Sequence, residues 1–223
     1  DIYFKTDERM ELIHSLHPHN PVVYYGPLNL GKFFYHNSSW IPGVYYNISA
    51  YECIAYYASL GKYLLNDNYI MLPWGEMLRQ KEFLYDKLGS DRTIFVRPSR
   101  GDKIFTGQII YKEEYDSTIS RLNTTDFSND EIIVVAEPKN IQAEWRFVVA
   151  REKVITGSEY KRNNIVGSVA GFPKEAADFA EVIAKAYQPD SVYVVDGGLT
   201  KAGEYRLVEV GCFSCAGLYK CDP

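Results

Sequence analysis

Apolar residues return along this chain in two rhythms, and each predicts a different kind of element. Over 176–187, Ala176, Phe179, Ala180, Ile183, Ala184 and Tyr187 recur every three or four positions, the spacing of one helical face. Pro173 stands just ahead, where proline opens a helix. Ser49 followed by Glu52 has the form of a capping box ahead of Ala55, Tyr56, Leu60 and Leu64, which predicts a helix stopping near Asn66. A further helix is predicted over 75–88, with Gly89 as its C-terminal stop. From Thr93 the apolar residues come in short runs or alternate, as on pleated strands. TIFVRP (93–98) and IFTGQII (104–110) flank the charged loop SRGDK, and a polar helical stretch over 113–122 and an apolar strand over 131–136 follow. Two more hairpins pair EWRFVVA with KVITGSEY, turning at Arg151 and Glu152, and SVYVVDGG with EYRLVEVG, turning between Thr200 and Gly203. Nearer the start, PVVYYG (21–26) reads as a short buried strand, and SSWIPGVYY (38–46) as an aromatic loop leading to another.

Strand pairs interleaved with single helices predict an α+β fold whose sheets are mainly antiparallel, with helices on their outer faces. The expected arrangement is two α+β lobes enclosing a cleft, with a small N-terminal α/β segment as a third layer or cap. The change of character near Leu88 to Asp91 divides the chain into 1–90 and 91–223.

Composition narrows the partners. With 223 residues, 46% of them hydrophobic and 15% aromatic, there is material for a substantial core. A net charge of -5 provides no footprint for a nucleic-acid backbone. No apolar run approaches the roughly 20 residues of a membrane span. A soluble, cytoplasmic protein with no nucleic-acid or membrane partner is the expectation, and the sequence leaves oligomeric state open. Cys212-x-x-Cys215 has no second cysteine pair to complete a zinc site, so Cys53, Cys212, Cys215 and Cys221 are expected to be reduced, partly buried thiols. Pro18 breaks any helical face through His14, His17 and His19, which predicts a solvated turn. The 19 tyrosines are expected in core and rim packing.

Three polar groups stand out. Arg97-Pro-Ser-Arg-Gly-Asp-Lys103 is a basic loop able to bend over a polyphosphate, Gly101 allowing close approach and Arg97 and Lys103 supplying charge; a solvated surface loop is the alternative. Beyond Glu137-Pro-Lys139, alternation puts Glu144 and Arg146 on one strand face, as a ligand-facing pair or a cross-strand ion pair. Asp196 and Glu209 lie inside Val-rich strands, where a lone carboxylate is costly. Facing each other across a hairpin they suit a hard cation such as Mg²⁺, or each pairs with a Lys or Arg such as Arg206.

In this order, FVRPSRGDKIFTGQII, AEPKNIQAEWRFVV and YRLVEVGCFSCAGLY resemble the ATP-grasp superfamily, specifically the clade named for two arginines and a lysine. The resemblance implies an ATP-grasp fold, with 1–90 as a substrate or cap region and 91–223 as the nucleotide-binding and catalytic region. It implies ATP and Mg²⁺ as cofactors. Arg97 and Lys103 match positions that contact phosphates, Glu137 the adenine hinge with Lys139 beside it, and Glu144 the acid that reaches the ribose. Arg146 and Lys161 match inner-strand positions facing the transferred group, Arg206 a position on the same floor, and Asp196 and Glu209 the metal pair. The implied chemistry passes the γ-phosphate to a carboxylate and then joins it to an amine, releasing ADP and phosphate. The partners are a small-molecule or peptide carboxylate and an amine acceptor. A phosphotransferase of the same fold and a nucleotide-binding module without turnover are the alternatives. The family's last strand commonly reads Glu-x-Asn, and here Gly211 replaces the Asn: either Ser214 or water fills that place, or metal binding is weakened.

Overall fold

The N-terminal third of the computed structural model is a shell of short elements. It comprises α1 (Thr6–Ser15), β1 (Val22–Val23), α2 (Leu28–Asn37), β2 (Pro42–Gly43) and α3 (Cys53–Leu60). The structure describes residues 6–15, 21–102, 104–123 and 128–221. Next come β3 (Tyr69–Pro73), α4 (Trp74–Arg79), α5 (Lys81–Leu88), β4 (Thr93–Pro98), β5 (Gln108–Tyr111), α6 (Tyr115–Leu122) and β6 (Ile132–Ala136). The last part holds β7 (Ile141–Ala150), β8 (Lys153–Arg162), β9 (Ile165–Ala170), α7 (Lys174–Ala186), β10 (Val192–Thr200) and β11 (Tyr205–Cys212).

Two antiparallel sheets organise these elements. The smaller has strand order β3-β6-β4-β5 and the larger β11-β10-β7-β8-β9. β7 and β8 are joined by Arg151 and Glu152 at φ 51° and 65°, a two-residue turn whose twist matches that of the strands it joins. Asn163 and Asn164 repeat the device at φ 49° and 65° and launch β9, a strand the hydrophobic pattern did not predict; Asn tolerates the left-handed region. On α7 the predicted stripe is the buried one: Ala176, Ala180, Ile183 and Ala184 face the large sheet. Emptying the Ile183 site to alanine would cost about 2–5 kcal/mol.

Each sheet has its own core. Leu72, Trp74, Met77, Leu84, Ile94, Val96 and Ile133 fill the smaller lobe. Phe34, Tyr51, Tyr56, Tyr57 and Leu60 from the N-terminal third share the second core with Trp145, Phe147, Val195 and Leu207 of the large sheet. The expected division after residue 90 is therefore corrected. β3, α4 and α5 belong with β4–β6, and the aromatic segment is built into the large lobe instead of capping it. The run Tyr69-Ile-Met-Leu-Pro has no alternation, so its pairing with β6 left no mark in the pattern.

Smaller corrections have local causes. Ser49 lies in a 3₁₀ turn (Ile48–Tyr51), Glu52 takes the N-cap position without a side-chain cap bond, and the helix ends at Leu60. The stretch predicted as one helix over 75–88 is broken at Gln80, whose φ −104° and ψ 22° leave the helical well. Gly89 does end α5, in extended conformation at φ −69°, because a Cβ there would meet the Tyr85 carbonyl oxygen at 2.2 Å. β1 is only two residues long, and Val23 is exposed. His14 closes α1, and His17 and His19 lie outside the described residues. Among the described residues no helix is long and apolar enough to cross a membrane.

Candidate active site

The sheets face each other across a cavity of about 460 Å³, within the size range of small-molecule pockets. β4 and β5 supply Phe95, Arg97, Gln108 and Ile109, and the large sheet supplies Ile141, Glu144, Lys161 and Glu209. A bulge shapes the floor. Asp196 pairs with Glu209 and Gly197 with Leu207, so Val208 is the extra residue, and both Val208 and Glu209 reach the cavity.

Arg97 joins the lobes. From β4 its guanidinium donates to the Val208 carbonyl at 3.3 Å and to Glu209 Oε2 at 3.1 Å on β11. Burial opposes its charge and Glu209 helps sustain it, with the net effect of raising its pKa well above the ordinary arginine value. Glu144 is buried and receives the Tyr160 hydroxyl on Oε2 at 2.7 Å. Lys161 Nζ stands 2.8 Å from Glu144 Oε1 as an ion-pair partner. The alignment is not that of a hydrogen bond, and Oε1 has no hydrogen-bond partner among the described residues. This oxygen, ion-paired to Lys161 in a residue that lines the cavity, keeps acceptor capacity for a ligand hydroxyl.

Beside the cavity a row of register neighbours crosses the sheet: Glu209 on β11, Asp196 on β10 and Arg146 on β7. Arg146 grips Asp196 with two bonds, Nε to Oδ1 at 2.8 Å and Nη2 to Oδ2 at 2.6 Å, and donates from Nη1 to the Gly217 carbonyl at 2.9 Å. The rings of Tyr160 and Tyr219 stack at 5.0 Å, each within cation–π reach of that guanidinium. Burial again opposes the arginine's charge, but Asp196 raises its pKa further above the ordinary value.

Of the predicted site residues, Arg97, Lys139, Glu144, Lys161 and Glu209 line the cavity, and Arg146 and Asp196 adjoin it. Others do not gather there. The Glu137 carboxylate receives Lys139 Nζ at 3.0 Å and Asn68 Nδ2 at 3.4 Å instead of lining the wall. Arg206 is held by Glu204 at 2.8 Å and by the Lys62 carbonyl at 3.0 Å, so it is not the partner of either buried carboxylate. Ser214 Oγ accepts the Tyr45 N–H at 2.9 Å and ties the N-terminal segment down. In the basic loop, Arg100 bonds to Asp102 and Glu131, and a Cβ on Gly101 would lie 3.1 Å from Ile48 and Tyr51. The close approach that glycine allows is therefore to the N-terminal segment. Lys103 lies outside the described residues. Leu65, Phe95, Ile109, Ile141 and Val208, the cavity's apolar walls, were not among the predicted site residues, because nothing distinguishes them from core residues along the chain.

ATP and Mg²⁺ can be tested against these residues. Apolar walls beside Arg97, Lys139, Lys161 and the Glu144 carboxylate fit a planar base, a phosphate chain and a ribose hydroxyl. Asp196 and Glu209 are the right donor type for a hard cation, although each is held by an arginine here. Among the described residues no group of three or more His, Cys, Asp and Glu is placed to hold a metal.

Two antiparallel sheets closing on such a cavity define an ATP-grasp fold. Residues 80–223 match the second family of ATP-grasp domains in the clade named for two arginines and a lysine, and the chain belongs to that family. No curated protein shows significant sequence similarity to it. Among solved structures it resembles the ATP-grasp ligase PsnB complexed with precursor peptide PsnA2 and AMPPNP, at 15% identity and TM-score 0.51, over 76% of this chain and 50% of that one. It also resembles D-alanine–D-alanine ligase from Bacillus anthracis complexed with ATP, at 20% identity and TM-score 0.52, over 74% and 54%. A third likeness is to purK, N5-carboxyaminoimidazole ribonucleotide synthetase, in its ADP complex, at 18% identity and TM-score 0.53, over 73% and 45%. The chain thus spans about half the length of these structures.

Proposed function

We propose that this chain is an ATP- and Mg²⁺-dependent ligase that activates a carboxylate as its acylphosphate and joins it to an amine, releasing ADP and phosphate. The observation that carries the reading is the Arg97 bridge across the cleft. A cation of the smaller lobe sits there on a carboxylate that a phosphate can replace, in the cavity that the ion-paired Glu144 and Lys161 also line. In this reading Phe95, Ile141 and Val208 enclose the base, Glu144 accepts a ribose hydroxyl, and Arg97, Lys139 and Lys161 face phosphate oxygens. Glu137 acts at the adenine hinge, and Lys103 is assigned to phosphate on the sequence alone. Arg146 orients the transferred group and spreads its charge, and no side chain serves as nucleophile. Arg206 is left to shape the rim. Glu209 would hold Mg²⁺ most directly, with Asp196 adding its charge from alongside while Arg146 keeps hold of it, and the ion when bound screens the phosphate charge. The ATP, ADP and AMPPNP of the similar solved structures support a nucleotide as occupant.

A second reading, nucleotide binding without turnover, is favoured by Gly211 and by the arginine on each carboxylate. One experiment tests both. Purified protein is given ATP, Mg²⁺ and pools of carboxylates and amines, and nucleotides are separated by chromatography. ADP formation that requires both co-substrates supports the ligase. AMP and pyrophosphate as products would sink it, and binding without any nucleotide turnover favours the second reading.

A further inference from the structure

A second cavity, of about 450 Å³, opens where the basic loop meets the N-terminal segment. Arg97 and Pro98 line the cavity already described, and the next two residues, Ser99 and Arg100, line this one, so the two abut across the end of β4. Backbone bonds fix the wall at that point. The Ser99 N–H donates to the Ile132 carbonyl at 2.9 Å, and the Ser99 carbonyl accepts the Cys53 N–H at 2.8 Å. Tyr46 is the group that calls for a ligand. It is 3% exposed and lines this cavity, yet its hydroxyl makes no hydrogen bond among the described residues. Buried hydroxyls are normally paired, and leaving one unpaired is costly. Burial, helped by the Asp102 carboxylate on the same cavity, raises its pKa, so the phenol keeps its proton as a donor. Ser99, equally buried, accepts the Ile54 N–H on Oγ at 3.1 Å and keeps its own proton to donate.

The charges around these hydroxyls are divided. Arg100 is spent on Asp102 and Glu131. Lys32 of α2 and the carboxylates of Glu52 and Asp130 also line the cavity, but they form no ion pair with one another or with any other described residue. Opposite charges kept apart around one cavity complement a molecule that carries both. Ile48, Ile54 and Ile132, from three separate segments, add an apolar wall. We propose that this second cavity binds a free α-amino acid with an apolar side chain, its carboxylate taken by Lys32 and the Tyr46 and Ser99 hydroxyls and its ammonium by Glu52 and Asp130. Every one of these contacts is charge-assisted, and the volume is within the range of small-molecule sites. The site is separate from the nucleotide cavity and needs no nucleotide, so it stands or falls independently of the ligase reading.

The test titrates the full chain by calorimetry with L-leucine, with isopentylamine, which lacks the carboxylate, and with isocaproate, which lacks the amine. L-Leucine is expected to bind without ATP in the millimolar range or tighter, and each truncated probe roughly tenfold more weakly. Tyr46→Phe removes a hydroxyl that bonds to nothing among the described residues, so it should weaken L-leucine about fivefold while the urea unfolding midpoint stays in place. Lys32→Met should narrow the gap between L-leucine and isopentylamine, and Asp130→Asn the gap between L-leucine and isocaproate. Absence of L-leucine binding, by heat and by saturation transfer in the ligand's NMR spectrum, overturns the proposal. Equal affinities for the three probes also overturn it, as does L-leucine binding that ignores Tyr46→Phe or gaps that neither charge variant narrows. L-Aspartate binding as tightly as L-leucine would overturn the choice of an apolar side chain.

Discussion

Arg146 and Arg97 each hold one acidic side chain, but the two pairs belong to different kinds of place. Arg146 and Asp196 are register neighbours on adjacent strands of one sheet, joined by two bonds and buried to 9% and 6% side-chain exposure. Arg97 and Glu209 come from different sheets, share a single contact, and leave Glu209 more open at 17%. The first pair is fixed by the ladder beneath it. The second can open without dismantling a sheet, so a phosphate entering the cleft competes more easily for Arg97 than for Arg146. Of the two carboxylates, Glu209 is accordingly the readier to exchange an arginine for a metal ion.

Removing one side of each pair should expose the difference. Arg146→Met leaves Asp196 buried without its bidentate partner, which typically costs about 3–5 kcal/mol. Urea unfolding measures this, and Arg146→Met/Asp196→Leu should recover most of the loss. A cost below about 1 kcal/mol for the single variant would mean that Asp196 re-pairs and that Arg146 is no framework residue. Arg97→Met should instead cost less in stability, about 1–2 kcal/mol, because Glu209 keeps solvent and cavity access. Its larger effect should be on ATP, weakened by roughly 1.5–3 kcal/mol while adenosine is little changed. Calorimetry with both ligands decides, and equal losses for the two would take Arg97 off the phosphates.

The stability of the fold was easier to read in the sequence than the site. Helical period over 176–187 and the tight turns of the hairpins were legible because each element is specified by its own neighbours. The lobe boundary was not: β3 acquires its identity only by pairing with β6, which lies beyond three α-helices and two strands of the same lobe. At the site, buried acids in Val-rich strands correctly pointed to partners, but those partners are Arg146 and Arg97, supplied by other strands, and not Arg206 from the same one. Local spacing cannot tell which arginine a fold will bring to which carboxylate. The same limit hid the apolar walls and placed Gly101 against phosphate instead of against Ile48.

Glu144 offers an intermediate case, since its two oxygens play the two roles on one side chain. Oε2 is fixed by the Tyr160 hydroxyl, and Oε1 holds only the ion pair with Lys161, which a ligand hydroxyl can join. Glu144→Gln keeps the shape and removes the charge, so ATP binding should fall by about 1 kcal/mol with little loss of fold stability. ATP and its 2′,3′-dideoxy analogue should be distinguished by the parent and nearly equivalent for the variant. If the parent does not distinguish them, Glu144 does not meet the ribose.

The smallest effect is expected at Gly211, where the opener of the two pairs can be strengthened. A Cβ built there lies 3.7 Å from Glu209 Oε1, so a side chain at 211 shares the face of Glu209 and adjoins the same carboxylate. Its other neighbour is Val194 Cγ2 at 3.1 Å, tight enough that the valine must give by a few tenths of an ångström. Gly211→Asn therefore adds an oxygen ligand at a modest packing cost, roughly 1 kcal/mol. Titrating Mg²⁺ at fixed ATP with a fluorescent nucleotide should show a several-fold lower Mg²⁺ requirement for Gly211→Asn. Glu209→Gln should show a higher one, because the ion loses a negative ligand. The same titration on Asp196→Asn sharpens the contrast: its effect on Mg²⁺ should be smaller than that of Glu209→Gln if Arg146 keeps hold of that side chain. A Mg²⁺ requirement indifferent to Glu209→Gln would move the metal away from β11 altogether. In that case the arginine on Glu209 is a structural tie like the one on Asp196, and the distinction between the two pairs collapses.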